Sequence, residues 1–259
     1  MNAFLEEMFS LADRRAVVIG GTGVLGSRMC RALAMAGAEV VVAGRDEGRG
    51  RACAESIASE GGAARFLPVD AARRDSIERL AAEAERDVGP IDVLVNAAGV
   101  NSAEPYFEIA DGDWERVLAT NLTSVHWSCQ IFAAGMVQRR RGAIVNVGSA
   151  SSDKPLSRVF AYSASKAAVV NYTQNLAREL GPAGVRVNCL SPGFFPAEQN
   201  RAILDPQRTQ AVLAHTPMGR FGEPADLDGA LLLLASDRAG RFVTGANLFV
   251  DGGFTAQSI

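Results

Sequence analysis

The feature that most limits the folds open to this chain is an alternation. Short apolar runs of strand length are each followed by a helix-length stretch carrying an apolar stripe. The runs fall at 16–19, 39–43, 65–69, 91–96, 143–147, 185–190 and 247–250, and the helical stretches at 25–36, 47–60, 76–87, 113–138, 161–180 and 224–235. Runs such as Val40-Val41-Val42 and Val93-Leu94-Val95 are apolar on both faces, as strands covered by helices on both sides must be. The pattern predicts the α/β class: a single doubly wound Rossmann-type domain over residues 1–259, built on a seven-stranded, mainly parallel sheet with helices on both faces. The longest stretch without strand signal, 193–222, is expected to form a substrate loop.

Composition narrows the function. With 48% hydrophobic and 21% charged residues the chain can bury a sizeable core, and its net charge of −3 offers no basic field for nucleic acid or an anionic membrane. The one tight basic run, Arg139-Arg140-Arg141, sits where a helix should end before the fifth strand and reads as a helix-terminus contact or a solvated face. Cys30, Cys53, Cys129 and Cys189 are far apart in sequence, with no CxxC and no histidine at ligand spacing, so reduced thiols and no metal are expected. His126 and His215 read as structural, Trp114 and Trp127 as packing residues. No apolar run approaches the ~18 residues of a spanning helix, and the first residues lack a basic and an apolar leader region. A cytoplasmic protein acting on a small molecule is the expectation.

The first strand runs into Gly20-Gly21-Thr22-Gly23-Val24-Leu25-Gly26, where glycines let backbone approach a pyrophosphate at a helix N-terminus. Gly20, Thr22, Gly23, Leu25 and Gly26 are the candidate phosphate-binding residues. The second strand ends Gly44-Arg45-Asp46; an arginine there suits a 2′-phosphate and favours NADP(H) over NAD(H), while Asp46 keeps open a ribose-binding alternative. Asp70 and Ala71 follow the third strand, where a carboxylate can meet an adenine amino group, and Asn96, Ala97 and Gly99 follow the fourth. All four segments lie at carboxyl ends of strands, where ligands bind in such sheets.

Tyr162-Ser163-Ala164-Ser165-Lys166 carries the chemistry, because residues four apart share one helix face. A phenol acting near neutrality must fall by roughly 3 units from about 10, some 4 kcal/mol, and a neighbouring ammonium together with a cationic nicotinamide has the right sign to lower it. Ser149, just past the fifth strand, can hold a substrate carbonyl oxygen. Asn121, within a helix, can bond to backbone and local water.

Together the glycine-rich turn, Asn96-Ala97-Ala98-Gly99, Asn121, Ser149, Tyr162/Lys166, Pro192-Gly193 and Val250-Asp251-Gly252-Gly253 resemble the short-chain dehydrogenase/reductases over essentially the whole chain. The resemblance implies that Tyr162 is the acid-base, that Lys166 holds the ribose and tunes Tyr162, that Ser149 orients the carbonyl and that Asn121 completes a proton relay. It places Pro192 and Gly193 beside the nicotinamide, with Phe195 a further cofactor-binding candidate, and implies a homotetramer. The chain departs from the family pattern at Ile19, at the middle glycine of the turn, where Gly23 stands one position early, and at Ala197, where a threonine is usual. These departures bear on coenzyme affinity rather than on chemistry.

The segments 155–158, 192–201, 215–224 and 251–256 resemble the branch of D-mannonate oxidoreductases, or fructuronate reductases. That implies hydride transfer between the coenzyme and a secondary alcohol or ketone of a sugar acid such as D-mannonate or D-fructuronate. Such a substrate needs a cation and several polar partners, for which Arg158, Asn200 and Arg201 are the candidates, with Arg220 as a loop brace. The alternatives are a gluconate 5-dehydrogenase-like activity, a 3-oxoacyl thioester reductase and, in another class, a non-catalytic NADP(H)-binding regulator.

Overall fold

The strand order follows from how the βαβ units wind. The computed structural model describes residues 3–196 and 205–257. Strands β1 (Arg15–Ile19), β2 (Glu39–Gly44), β3 (Ala63–Pro68), β4 (Val93–Asn96), β5 (Gly142–Val147), β6 (Val185–Pro192) and β7 (Asn247–Val250) form one sheet in the order β3-β2-β1-β4-β5-β6-β7. Each of the six pairings is parallel, so the expected mainly parallel sheet is parallel throughout. Winding proceeds outward from β1 through β2 to β3, then returns to β4 on the other side of β1. The reversal opens a crevice beyond the carboxyl ends of β1 and β4.

The helices are α1 (Ala3–Phe9), α2 (Val24–Met35), α3 (Glu47–Ser59), α4 (Arg74–Val88), α5 (Asp111–Leu118), α6 (Ser124–Arg139), α7 (Phe160–Leu180), α8 (Pro206–His215) and α9 (Asp228–Ala235). Successive strand residues face opposite sides of the sheet. Val18, Val40, Val42, Val95 and Val145 therefore pack under α2 and α9 with Leu33 and Leu231. Val17, Val41, Leu94, Ile144 and Val187 pack under α4, α6 and α7 with Ile77, Leu80 and Phe132. Each of these larger side chains contributes about 1.5–3 kcal/mol on burial, and two such layers explain why the strands are apolar on both faces.

Two expected elements are subdivided. The helix expected over 113–138 is two helices, α5 and α6, joined by a π turn over Ala119–Thr123 that carries Asn121. The last helical stretch begins as a short 3₁₀ turn, Pro224–Leu227, because Asp226 and Glu223 cap each other's backbone before α9 starts.

The basic run is structural. Arg139 donates to Ile91 O at 2.6 Å, Arg140 caps α6 in the left-handed region at φ 54° and donates to Pro182 O, and Arg141 pairs with buried Asp92. The four cysteines are free, but two are near neighbours: Cys30 on α2 and Cys53 on α3 shift each other's thiol, with burial and Cys53 raising that of Cys30, while Cys53 Sγ donates to Ser27 O. Among the described residues, no helix is long and apolar enough to cross a membrane.

Candidate active site

A cavity of 330 Å³ occupies the crevice, walled by the loops that leave β1 to β6 and by Arg208 of α8. Its floor is the turn from β1 to α2, where Gly20, Thr22, Gly23, Leu25 and Gly26 line it. Two of these positions are glycine by necessity. Gly20 has φ +91° and a Cβ there would lie 2.5 Å from Ala98 N, while one on Gly26 would lie 2.1 Å from Gly20 O. A cradle this tight admits no side chain, and α2 begins above it with Gly23 at its N-cap and no side-chain cap. Exposed backbone N–H groups at a helix start are what a pyrophosphate uses, so these residues fit a dinucleotide. Gly44 has a similar reason: a Cβ would meet Thr22 Oγ1 at 2.5 Å.

Arg45, Asp70, Ala71, Ala97, Gly99, Pro192, Gly193 and Phe195 also line the cavity. Arg45 is exposed at the tip of β2, whereas Asp46 turns away to accept from Arg49 N at 2.9 Å as the N-cap of α3, which leaves the ribose-binding alternative to Asp46 without geometric support. Asp70 Oδ1 accepts from Ala72 N at 3.1 Å, fixing the turn after β3.

Asn96 corrects the expectation. It does not line the cavity: Nδ2 donates to Asn146 Oδ1 at 2.9 Å and Oδ1 accepts from Ser128 Oγ at 2.7 Å, inside the sheet–helix core. The strand pleat points it at α6, and the neighbouring wall positions fall to Ala97 and Ala98 beyond the strand's end. Asn146 then donates to Thr173 Oγ1 at 2.9 Å, so a buried amide pair stitches β4 and β5 to α7.

Ser149, Tyr162 and Lys166 converge on one wall. Lys166 is 3% exposed, its Nζ donates to Val147 O at 2.7 Å and lies 5.7 Å from the centre of the Tyr162 ring. Burial pulls its amine down to about 8, with a small opposing pull from Cys189. Burial also pushes the Tyr162 phenol above its ordinary value, partly offset by the nearby Ser149 hydroxyl. The phenol acidified by Lys166 that the spacing suggested is not what the protein alone produces. The ammonium is spent on a carbonyl, and desolvation dominates.

Asn121 is fully buried and does not line the cavity. Its Nδ2 donates to Val100 O at 2.9 Å and to Ser165 Oγ at 3.1 Å, while Oδ1 accepts from Val100 N at 2.8 Å. The π turn presents this side chain to the loop after β4, a use of π turns that recurs at functional sites. A Cβ on Gly99 would come within 3.6 Å of both Asn121 Oδ1 and Lys166 Nζ, so the glycine sits between them.

The substrate candidates fare differently. Arg158 is exposed, has φ 63° and does not line the cavity, because its loop turns it outward before α7. Asn200 and Arg201 lie outside the described residues, as does Ala197. Arg220 pairs with Asp226 at 2.7 Å, a loop brace as expected. Missed were Asn101, Thr120, Leu156 and Arg208, all of which line the cavity. Asn101 could have been found by extending the Asn96–Gly99 motif two residues; nothing in the local pattern separates Arg208 from other arginines.

Fold and site define an NAD(P)-dependent oxidoreductase. Residues 22–255 match the family model described as Enoyl-(Acyl carrier protein) reductase (adh_short_C2). The chain belongs to the short-chain dehydrogenase/reductase family, and it acts on CH–OH groups or the corresponding carbonyls. It is 37% identical to gluconate 5-dehydrogenase of Gluconobacter oxydans over 97% of this chain and 98% of that one. It is 36% identical to "Uncharacterized oxidoreductase UxuB" of Bacillus subtilis, over 96% of this chain and 97% of that one. A gluconate 5-dehydrogenase from Burkholderia cenocepacia, solved in complex with NADP and tartrate, superposes with TM-score 0.94 at 34% identity, covering 98% of this chain and 100% of that one.

Proposed function

We propose that the chain uses NADP(H) to interconvert a ketone and a secondary alcohol on an open-chain sugar acid, with 5-keto-D-gluconate and D-gluconate as the pair. The observation that carries the reading is the clustering of Ser149, Tyr162 and Lys166 on one wall of a cavity whose floor is the glycine cradle. Support for the substrate comes from the relatives: gluconate 5-dehydrogenase and 5-keto-D-gluconate 5-reductase are among them, and these names lend no support to the mannonate branch that the loop segments resembled. Arg45 at the β2 tip supports the phosphorylated coenzyme.

Gly20, Gly23 and Gly26 would hold the pyrophosphate, Arg45 the 2′-phosphate, and Pro192, Gly193 and Phe195 the nicotinamide end. The bound coenzyme supplies or accepts the hydride. The chain's own residues manage the proton. In reduction Tyr162 Oη gives its proton to the substrate oxygen while Ser149 Oγ donates a hydrogen bond to it; oxidation reverses both roles. A phenol raised by burial is protonated at neutral pH, which equips the resting site for reduction. Asn121 positions the loop after β4 and, through Ser165, the first turns of α7, from which Tyr162 and Lys166 project. The described segments work as one unit and assemble as a homotetramer.

The test is NADPH oxidation with 5-keto-D-gluconate, D-fructuronate, neutral ketoses and an acetoacetyl thioester. Turnover of the ketogluconate that vanishes in Tyr162→Phe, with NADPH binding retained, is expected. Turnover confined to the thioester would replace this reading with that of the 3-oxoacyl reductases, to one of which the chain is 32% identical. Activity unchanged in Tyr162→Phe would remove the assigned chemistry.

A further inference from the structure

Among the described lining residues the cavity presents three cations, Arg45, Lys166 and Arg208, against one carboxylate, Asp70. Two of the cations have work already assigned: Arg45 stands at the coenzyme's end, and Lys166 is bonded to Val147 O beside Tyr162. Arg208 is left. Its Nη2 donates to Ser157 O at 2.9 Å, which ties α8 to the loop between Ser149 and Tyr162. That loop also supplies Leu156 and Val159 to the cavity wall.

The guanidinium is therefore held at the catalytic wall by a neutral carbonyl, and among the described residues it has no carboxylate partner. The nearest acid in sequence is occupied elsewhere: Asp205 Oδ1 accepts from the backbone N–H of Arg208 at 2.7 Å, capping α8. A half-buried guanidinium with one of its five donors satisfied keeps a free edge, and that planar edge matches a carboxylate in a two-pronged bond. A second observation points to a polyol. Asn101 lines the same cavity, and its buried Oδ1 has no hydrogen-bond partner. An unpaired buried carbonyl stays desolvated without compensation until a donor arrives, and a turn of the side chain toward the cavity would let a substrate hydroxyl be that donor.

We infer that Arg208 anchors the carboxylate of the substrate and that Asn101 Oδ1 accepts from one of its hydroxyls, so that this pair sets specificity for hydroxy acids over neutral ketoses. The inference rests on the sugar-acid reading above, which names the substrate class, but the anchor can be tested apart from it.

The variants are Arg208→Gln, Arg208→Lys and Asn101→Ala in the full chain, with circular dichroism and NADPH affinity checking that each folds and loads. Two readouts are taken: kcat and KM for 5-keto-D-gluconate and for a neutral ketose of similar length, and the affinity of the NADP-loaded protein for tartrate, a small hydroxy-dicarboxylate. Loss of a charge-assisted pair is worth about 1.5–3 kcal/mol, or roughly 10-fold to 100-fold. Arg208→Gln is expected to raise KM for the keto acid by that factor with kcat within threefold, to leave the neutral ketose within threefold and to weaken tartrate tenfold or more. Arg208→Lys should recover part of the loss. Asn101→Ala should raise KM for both polyols, since both carry hydroxyls.

Tartrate binding that is the same in wild type and Arg208→Gln overturns the anchor. So does a rise in KM for NADPH alone, which would make Arg208 a coenzyme contact. If tartrate affinity falls as expected while wild type turns over no sugar acid, the anchor stands and the proposed substrate falls.

Discussion

Lys166→Met tests the electrostatics of the site by a route independent of turnover. Burial brings the Lys166 amine from 10.5 in an unfolded chain to about 8 in the folded one. Between those values the unfolded chain binds more protons, so wild-type stability rises with pH across that window; below about 8 the folded protein carries the full cost of a buried ammonium. At 1.36 kcal/mol per unit, that cost is about 3 kcal/mol at pH 7 and about 1 kcal/mol at pH 10. The methionine variant would be free of it at both values but would leave Val147 O without its 2.7 Å donor, a penalty of about 1–3 kcal/mol that does not vary with pH. At pH 7 the two proteins should therefore be nearly equal in stability. At pH 10 the wild type should lead the variant by roughly 2 kcal/mol more than at pH 7. Urea unfolding of both proteins without coenzyme, at matched protein concentration, measures this directly. A difference between the two that stays constant to within about 0.5 kcal/mol from pH 7 to pH 10 would refute a depressed Lys166 amine.

Two shorter predictions concern recognition and assembly. Arg45→Ala should cut the preference for NADPH over NADH by about 10-fold to 100-fold, since it removes a charge-assisted pair to the 2′-phosphate; an unchanged ratio of affinities sinks the coenzyme assignment. Tyr106, Phe107 and Phe160 form a cluster of ring contacts on the surface, with Phe107 96% exposed, and such a patch supports burial against another copy of the chain. Sedimentation should give a tetramer for the wild type and a smaller species for Phe107→Asp, whereas a monomeric wild type refutes the assembly.

The sheet was legible because its chemistry is local. Val40-Val41-Val42 could serve only in a strand with both faces covered, and the glycines at 20 and 26 announce a turn that no other residue could make. The pair Tyr162 and Lys166 was legible for a similar reason, since a helical spacing of four sets the two side chains on one face. What pattern could not supply was context. Asn96 lies in the same short motif as Gly99, yet the pleat sends it into the core to meet Asn146, fifty residues away. The π turn at Asn121 was invisible because α5 and α6 read as one continuous amphipathic stretch; the break exists to serve Val100, a contact twenty-one residues distant. Spacing reports that Tyr162 and Lys166 are close, whereas the direction in which the phenol is tuned in the protein without coenzyme depends on burial and on what Lys166 is already bonded to.

The charge of the cavity runs against that of the chain, and this connects coenzyme to substrate. The protein as a whole carries −3, but cations outnumber the carboxylate on the described cavity wall. A cleft lined with one sign of charge and walled by low-dielectric protein concentrates ligands of the other sign, while a net negative exterior repels them elsewhere. Arg45 and Arg208 belong to separate elements, the tip of β2 and the first turn of α8, so each can recognise its own anion. Of the three described cavity cations, Lys166 is the one whose charge burial has made costly, and it sits against the phenol where the proton moves. An anion bound close by would lower that cost and raise the amine's affinity for its proton. Ligand binding and the protonation of Lys166 are thereby linked, and a site built this way is better suited to phosphorylated coenzymes and acidic substrates than to neutral ones.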